Sequence, residues 1–126
     1  MKKIVGVIDI QECKLLINTK DQIWTLPGGK VEDGESDLEA LTREVKEELS
    51  DSKLTEPIFY KSFEGISPRN KSQIDVRTYF GKVVGTLKPT SEIIDVRRAS
   101  YEEMQNYNLS NLTREIVNSL KKDGYL

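Results

Sequence analysis

The chain reads as a mixed α/β, or α+β, sandwich, and three observations predict it. Ile74, Val76, Thr78 and Phe80 alternate strictly, the period of a half-buried strand, and shorter β-branched runs accompany them. Leu38, Leu41, Val45 and Leu49 recur at spacings of 3, 4 and 4 behind a Ser36-x-x-Glu39 capping box, the pattern of an amphipathic helix. A second box, Ser100-x-x-Glu103, and an amphipathic run at the end of the chain predict further helices. Strands interrupted by one helix and closed by another pack as layers around a core.

The elements follow in order. Residues 3–10 are β-branched and loosely alternating, a first strand. Leu15, Leu16 and Ile17 form a second short strand over 14–18, and 23–26 a third. Leu26-Pro27-Gly28-Gly29 then reads as a tight turn in which glycine permits positive φ and close backbone approach. The first helix spans about 37–49. Residues 57–65 carry Ile58, Phe59, Tyr60 and Phe63 and pair with the strand over 73–84 through a polar hairpin loop at 67–72. Residues 85–90 read as a loop and 93–98 as a last strand. Ser100 starts a short helix, and Ser110 or Asn111 caps a final one with Leu112, Ile116, Val117 and Leu120 facing inward.

Composition bounds the function. At 126 residues, with 32% charged and 37% hydrophobic residues, the chain is expected to form one domain spanning 1–126. A net charge of −2 gives no reason to expect a nucleic-acid polymer or a membrane surface as partner. No signal peptide and no apolar window near the ~20 residues of a membrane span is present, so a cytoplasmic location is expected. There is no histidine, which excludes a histidine base and any His-ligated metal; acid–base work falls to carboxylates, Lys, Tyr or metal-bound water. Cys13 is the single cysteine, expected to be a buried strand residue rather than a nucleophile.

The chemistry concentrates in residues 29–48. Glu44, Glu47 and Glu48 stand at i, i+3 and i+4, where like charges cost a helix roughly 0.2–0.5 kcal/mol per pair. They also lie toward the helix end that prefers cations. On a helical wheel Glu44 and Glu48 fall beside the apolar stripe and Glu47 further round, so two carboxylates border the core and the third is more exposed. A solvated acidic face accounts for three glutamates alone; a divalent cation held by hard oxygen ligands accounts for the placement as well.

Gly29, Glu35, Arg43, Glu44, Val45, Glu47 and Glu48 match Gly-x5-Glu-x7-Arg-Glu-(aliphatic)-x-Glu-Glu, which resembles the signature of the Nudix hydrolases, the MutT-like family. Trp24 to Gly29 resembles that family's lead-in. The box normally closes with glycine and an aliphatic residue; here Ser50 and Asp51 stand, and Ser50 is expected to end the helix in a left-handed conformation. The resemblance implies a Nudix fold, a mixed β-sheet sandwiched between helices. It implies a pyrophosphohydrolase dependent on Mg²⁺ (or Mn²⁺) that cleaves a phosphoanhydride of a nucleoside diphosphate linked to another group, nucleoside triphosphates included. A non-catalytic Nudix-like module that binds a nucleotide or a protein is the alternative.

The resemblance also implies roles. Glu44, Glu47 and Glu48 would be metal ligands, with Glu44 a candidate base, and the Gly29 carbonyl would face the metal. Arg43 would orient a glutamate of the loop or helix, and Glu35 would support the loop. Glu92, in Thr90-Ser-Glu-Ile-Ile-Asp95, is a further ligand or base of the kind MutT-like proteins place downstream; a solvated loop glutamate is the alternative. Substrate contacts are weakly written: Arg69, Lys71 and Arg77 could meet phosphates, and Trp24, Tyr60, Phe63 and Tyr79 could stack on a base. The partner is then a small nucleotide, and either a monomer or a homodimer fits.

Overall fold

The computed structural model describes residues 1–90 and 92–126. Its first strand, β1 (Lys2–Ile8), breaks at Asp9 and continues as β2 (Ile10–Gln11). Strands β3 (Lys14–Thr19), β4 (Trp24–Thr25) and β5 (Gly28–Lys30) precede helix α1 (Asp37–Glu48). A long hairpin, β6 (Leu49–Ile66) and β7 (Gln73–Pro89), follows, then β8 (Asp95–Ala99) and helices α2 (Tyr101–Met104) and α3 (Asn111–Lys122).

The strands make two sheets. One has the order β5-β1-β7-β6 and is mixed: β1 and β7 are parallel, and the outer pairs are antiparallel. In the other, β3 is central, with β8 along one edge and β2 and β4 end to end along the opposite edge. Alternation along β1 and β3 divides the core in two. Val5, Val7 and Leu16 pack with Ala40, Leu41 and Val45 of α1. Ile8, Leu15 and Ile17 pack with Met104 of α2 and with Leu112, Ile116, Val117 and Leu120 of α3. A mixed α+β sandwich between helices is thus the observed architecture.

The caps act where the sequence places them. The Ser36 and Ser100 side chains accept from the N–H groups of Glu39 and Glu103, whose carboxylates accept in return; Ser110 caps α3 by accepting from Thr113 N. At the far end of α1, Thr90 N–H donates to the Glu48 carbonyl at 3.0 Å and its hydroxyl to the Glu47 carbonyl at 2.6 Å. These bonds satisfy two carbonyls orphaned by the helix terminus and hold Thr90 there.

Five expectations are corrected. Leu38 is 42% exposed; Ala40, fully buried, takes its place on the core face. Residues 85–89 are strand, because the hairpin continues until Leu49 opposes Pro89. Gly28 and Gly29 belong to β5, paired with Gly6 and Val5, so only part of the glycine segment turns. Cys13 is exposed; with Glu12 it forms the two-residue connection between β2 and β3, both residues at positive φ, 52° and 61°. Ser50 pairs with Lys88 in β6, and the left-handed residue is Asp51, φ 65°, in the bulge between Ser50 and Ser52. The helix stops because Leu49 turns into the strand at φ −129° rather than through a left-handed cap.

Candidate active site

The site forms where α1 lies across β5. At Gly28, φ 151°, a Cβ would strike the Val5 backbone, and at Gly29 it would strike the Glu44 carboxylate. Two adjacent glycines let β5 lie close to β1 on one side and receive the α1 carboxylates on the other.

Arg43 organises the cluster. Its Nε and Nη2 grip both Glu35 oxygens at 2.7 and 2.9 Å, and Nη2 also donates to the Lys30 carbonyl at 3.0 Å. Nη1 reaches Glu44 Oε1 at 3.0 Å and both Glu47 oxygens at 3.4 Å. Glu35 in turn accepts from Glu32 N–H at 2.9 Å, so the 31–36 loop is pinned to the helix. The Arg43 guanidinium holds the Glu35 carboxyl down at about 2, and Glu35 holds Arg43 above its ordinary range.

Glu48 is the most buried of the three helix carboxylates. Its Oε1 accepts from Gly28 N–H at 2.9 Å and from Asn18 Nδ2 at 3.3 Å. Desolvation pushes its pKa up to about 7; the Gly28 N–H opposes the rise, the Glu44 charge adds to it, and Asn18 and Lys20 oppose it. Glu44 is raised as well, mainly by burial, against the opposing pull of Arg43. Glu44 and Glu48 therefore share one arrangement: one oxygen of each is tied by a donor, and among the described residues no protein donor reaches the other. Glu47 faces outward, its side chain 53% exposed.

A cavity of about 380 Å³ opens beside Glu48, Gly28 and Gly29. Ile4, Leu26, Ile74, Val76, Leu112 and Ile116 supply apolar walls, and Asn18, Lys20, Asn70, Ser110 and Thr113 supply polar groups. Its size and mixed lining suit a small organic ligand.

Among the described residues no three Asp, Glu, His or Cys side chains form a closed metal cage. The donors that are present still fit Mg²⁺ or Mn²⁺, because such ions take one or two carboxylates and fill the remaining positions with water and substrate phosphates. Two desolvated, mutually repelling carboxylates with a free oxygen each are that kind of donor set.

The structure gathers some of the expected residues and separates others. Glu35, Arg43, Glu44, Glu47, Glu48 and Gly29 come together. Glu92 lies on the exposed rim, paired with Lys20 at 3.3 Å in the segment tied to the end of α1; Ser91 beside it lies outside the described residues. Arg69 lines the cavity, but its guanidinium is held by Asp21 at 3.0 and 3.2 Å. Arg77 and Tyr79 both bind Asp37 at the start of α1, on the face of β7 opposite the Ile74 and Val76 that line the cavity. They anchor the helix and do not reach the cavity. Trp24 stands edge-on to Tyr107, centroids 5.2 Å apart, against the core. Tyr60 bonds Ser119 and Asp123, Phe63 is core, and Lys71 belongs to the hairpin loop. Asn18 was not legible as a site residue. The one signal for it is an amide inside an aliphatic strand run, where asparagine is disfavoured.

The family model described as NUDIX domain matches residues 3–120. A Bacillus subtilis (strain 168) protein named "Putative 8-oxo-dGTP diphosphatase" is 38% identical over 83 residues, 64% of this chain and 52% of that protein. The chain thus spans about half the length of that relative. The solution structure of the E. coli ORF135 protein is similar at 26% identity and TM-score 0.80, covering 98% of this chain and 93% of that one. The MutT protein from Methanosarcina mazei Go1 shares the fold at TM-score 0.82 and 21% identity, covering 99% and 96%.

Proposed function

The chain belongs to the NUDIX domain family, and on that premise we propose that it is a Mg²⁺- or Mn²⁺-dependent pyrophosphohydrolase acting on nucleoside diphosphate derivatives, nucleoside triphosphates among them. One observation carries the reading: Glu48 lines a cavity of about 380 Å³, the Glu44 carboxylate lies against Gly29 of the same lining, and among the described residues each carboxylate has one oxygen without a protein donor. A binding module has no use for keeping two carboxylates desolvated against each other.

Glu44, Glu48 and the Gly29 carbonyl, with Glu47 swinging inward, would hold the cation. When bound, it offsets phosphate charge and makes water more acidic. The protein does the rest. The cavity receives the nucleoside, and its apolar walls strip it of water. Lys20 at the rim offers a cation to the phosphates, and Arg43 keeps Glu44 aimed while Glu35 holds Arg43 in place. Two carboxylates are candidates to take the proton of the attacking water: Glu44, which lies against Gly29, and Glu92, which pairs with Lys20.

The Bacillus subtilis relative's name makes 8-oxo-dGTP one substrate to include. The test is a hydrolysis screen over ordinary and oxidised nucleoside triphosphates and nucleoside diphosphate sugars, with Mg²⁺ or Mn²⁺, in oxygen-18 water. Label on a phosphorus of the product, abolished by chelator, is the expected result. No turnover of any nucleotide, or turnover unaffected by chelator, overturns the reading.

A further inference from the structure

Resting on that reading of the site, we propose that Asn18 is a positioning residue: it fixes the Glu48 carboxylate in the orientation that leaves Oε2 free for a divalent cation. Asn18 is 1% exposed on the central strand of the second sheet, directly after the fully buried Leu15, Leu16 and Ile17. A buried amide costs free energy unless it is hydrogen-bonded, so its presence in this aliphatic run needs a reason. The hydrogen bond to Glu48 Oε1 supplies one. An ionised carboxylate only accepts, so the amide nitrogen must face it.

The geometry shows what the bond adds. The terminal torsion of a glutamate is broad and roughly two-fold, so one donor leaves the plane of the carboxylate free to swing. Here two donors converge on the same oxygen from different sheets: Gly28 N–H from β5 in the first and Asn18 Nδ2 from β3 in the second. Oε1 is held from both sides, and the plane is set. Asn18 also borders the cavity, so its position is read at the surface where cation and phosphate would meet. Outer groups that orient a metal ligand typically change metal affinity or activity by about 10–100-fold when removed.

The test is Mn²⁺ binding in the absence of nucleotide, read from the free-ion electron paramagnetic resonance signal. Wild type, Asn18→Leu, Asn18→Ala, Glu48→Gln and the double variant Asn18→Ala/Glu48→Gln are compared, with circular dichroism melts to confirm folding. Asn18→Ala serves if Asn18→Leu does not fold. The Kd for Mn²⁺ is expected to rise by about 10-fold or more in the Asn18 variants. At saturating metal, kcat should fall while KM stays within about twofold, since the nucleoside contacts are untouched. In the Glu48→Gln background Asn18→Ala should add nothing, because the residue acts through Glu48. Unchanged Mn²⁺ affinity in a folded Asn18 variant, or a loss that adds fully to that of Glu48→Gln, overturns the inference. Wild type that binds Mn²⁺ and hydrolyses nucleotide alongside an equally competent Asn18→Ala overturns this inference alone. Wild type that does neither overturns the proposed function, and this inference with it.

Discussion

Glu48 holds a conflict that a single substitution exposes. Burial raises its carboxyl from 4.5 to about 7 in the absence of metal, with Glu44 and Lys20 as the facing charges. A raised carboxyl means that the folded protein retains a proton the unfolded chain releases. The metal-free protein therefore loses stability from this group as pH climbs from about 4.5 to 7 and no further above that. Glu48→Gln removes the effect and keeps an acceptor for Gly28 N–H and Asn18. The variant should be more stable than wild type by roughly 3 kcal/mol at pH 8 and equal to it near pH 4. The same change should lower turnover by orders of magnitude. Urea titrations at the two pH values in chelator read the first effect, and a gap that does not widen with pH would refute it. Glu92 poses the second question at this scale. If it takes the proton from water, Glu92→Gln should lower kcat by about 10²-fold. A change under threefold assigns the proton to Glu44 and leaves Glu92 as the partner of Lys20.

At the level of elements, helices were easier to read than strands. Two capping boxes and the Leu112, Ile116, Val117 and Leu120 face stand in the structure as the sequence predicts, because cap and stripe are local signals. Leu38 was misplaced because one apolar residue beside a cap satisfies the period without touching anything. The hairpin was read too short at both ends, since 49–56 and 85–89 are strand only by pairing with each other. The turn chemistry was missed for a related reason. Two-residue hairpin turns with both central φ positive favour Asn-Gly, and here the residues are Glu12 and Cys13. That unusual choice sets up a prediction. A non-glycine residue in left-handed geometry costs about 1–2 kcal/mol, and glycine gives back roughly 0.5–1 in chain entropy. Cys13 is exposed, so no packing is lost with it. Cys13→Gly should stabilise the protein by about 0.5–1 kcal/mol, seen as a higher denaturation midpoint at unchanged m-value. A lower midpoint would mean that the turn relaxes to another type in solution.

Across the whole molecule, the two sheets must keep register for the site to exist, because Glu48 is held by Gly28 from one and by Asn18 from the other. Sequence reasoning located the carboxylates from their spacing on one helix. It could not locate Asn18 or the division into two sheets, since both depend on pairings between distant segments. The joint between the sheets is Asp9, 1% exposed, at the break between β1 and β2. Its carboxylate accepts from Val83 N–H of β7 at 2.8 Å and from Arg98 of β8 at 3.0 and 3.2 Å, so one buried anion ties both sheets together. Removing one partner of a buried pair is costly because the other charge stays behind, about 3–5 kcal/mol. Replacing both with neutral groups of similar shape costs far less, because no charge is then buried. Arg98→Leu should therefore destabilise the protein by about 3 kcal/mol. Adding Asp9→Asn should recover most of that loss, because asparagine still accepts from Val83 N–H and leaves no unpaired anion. Denaturant titrations of the two single variants and the double variant test this. If the double variant is as unstable as Arg98→Leu, or less stable, the loss comes from the missing arginine packing rather than from a stranded charge.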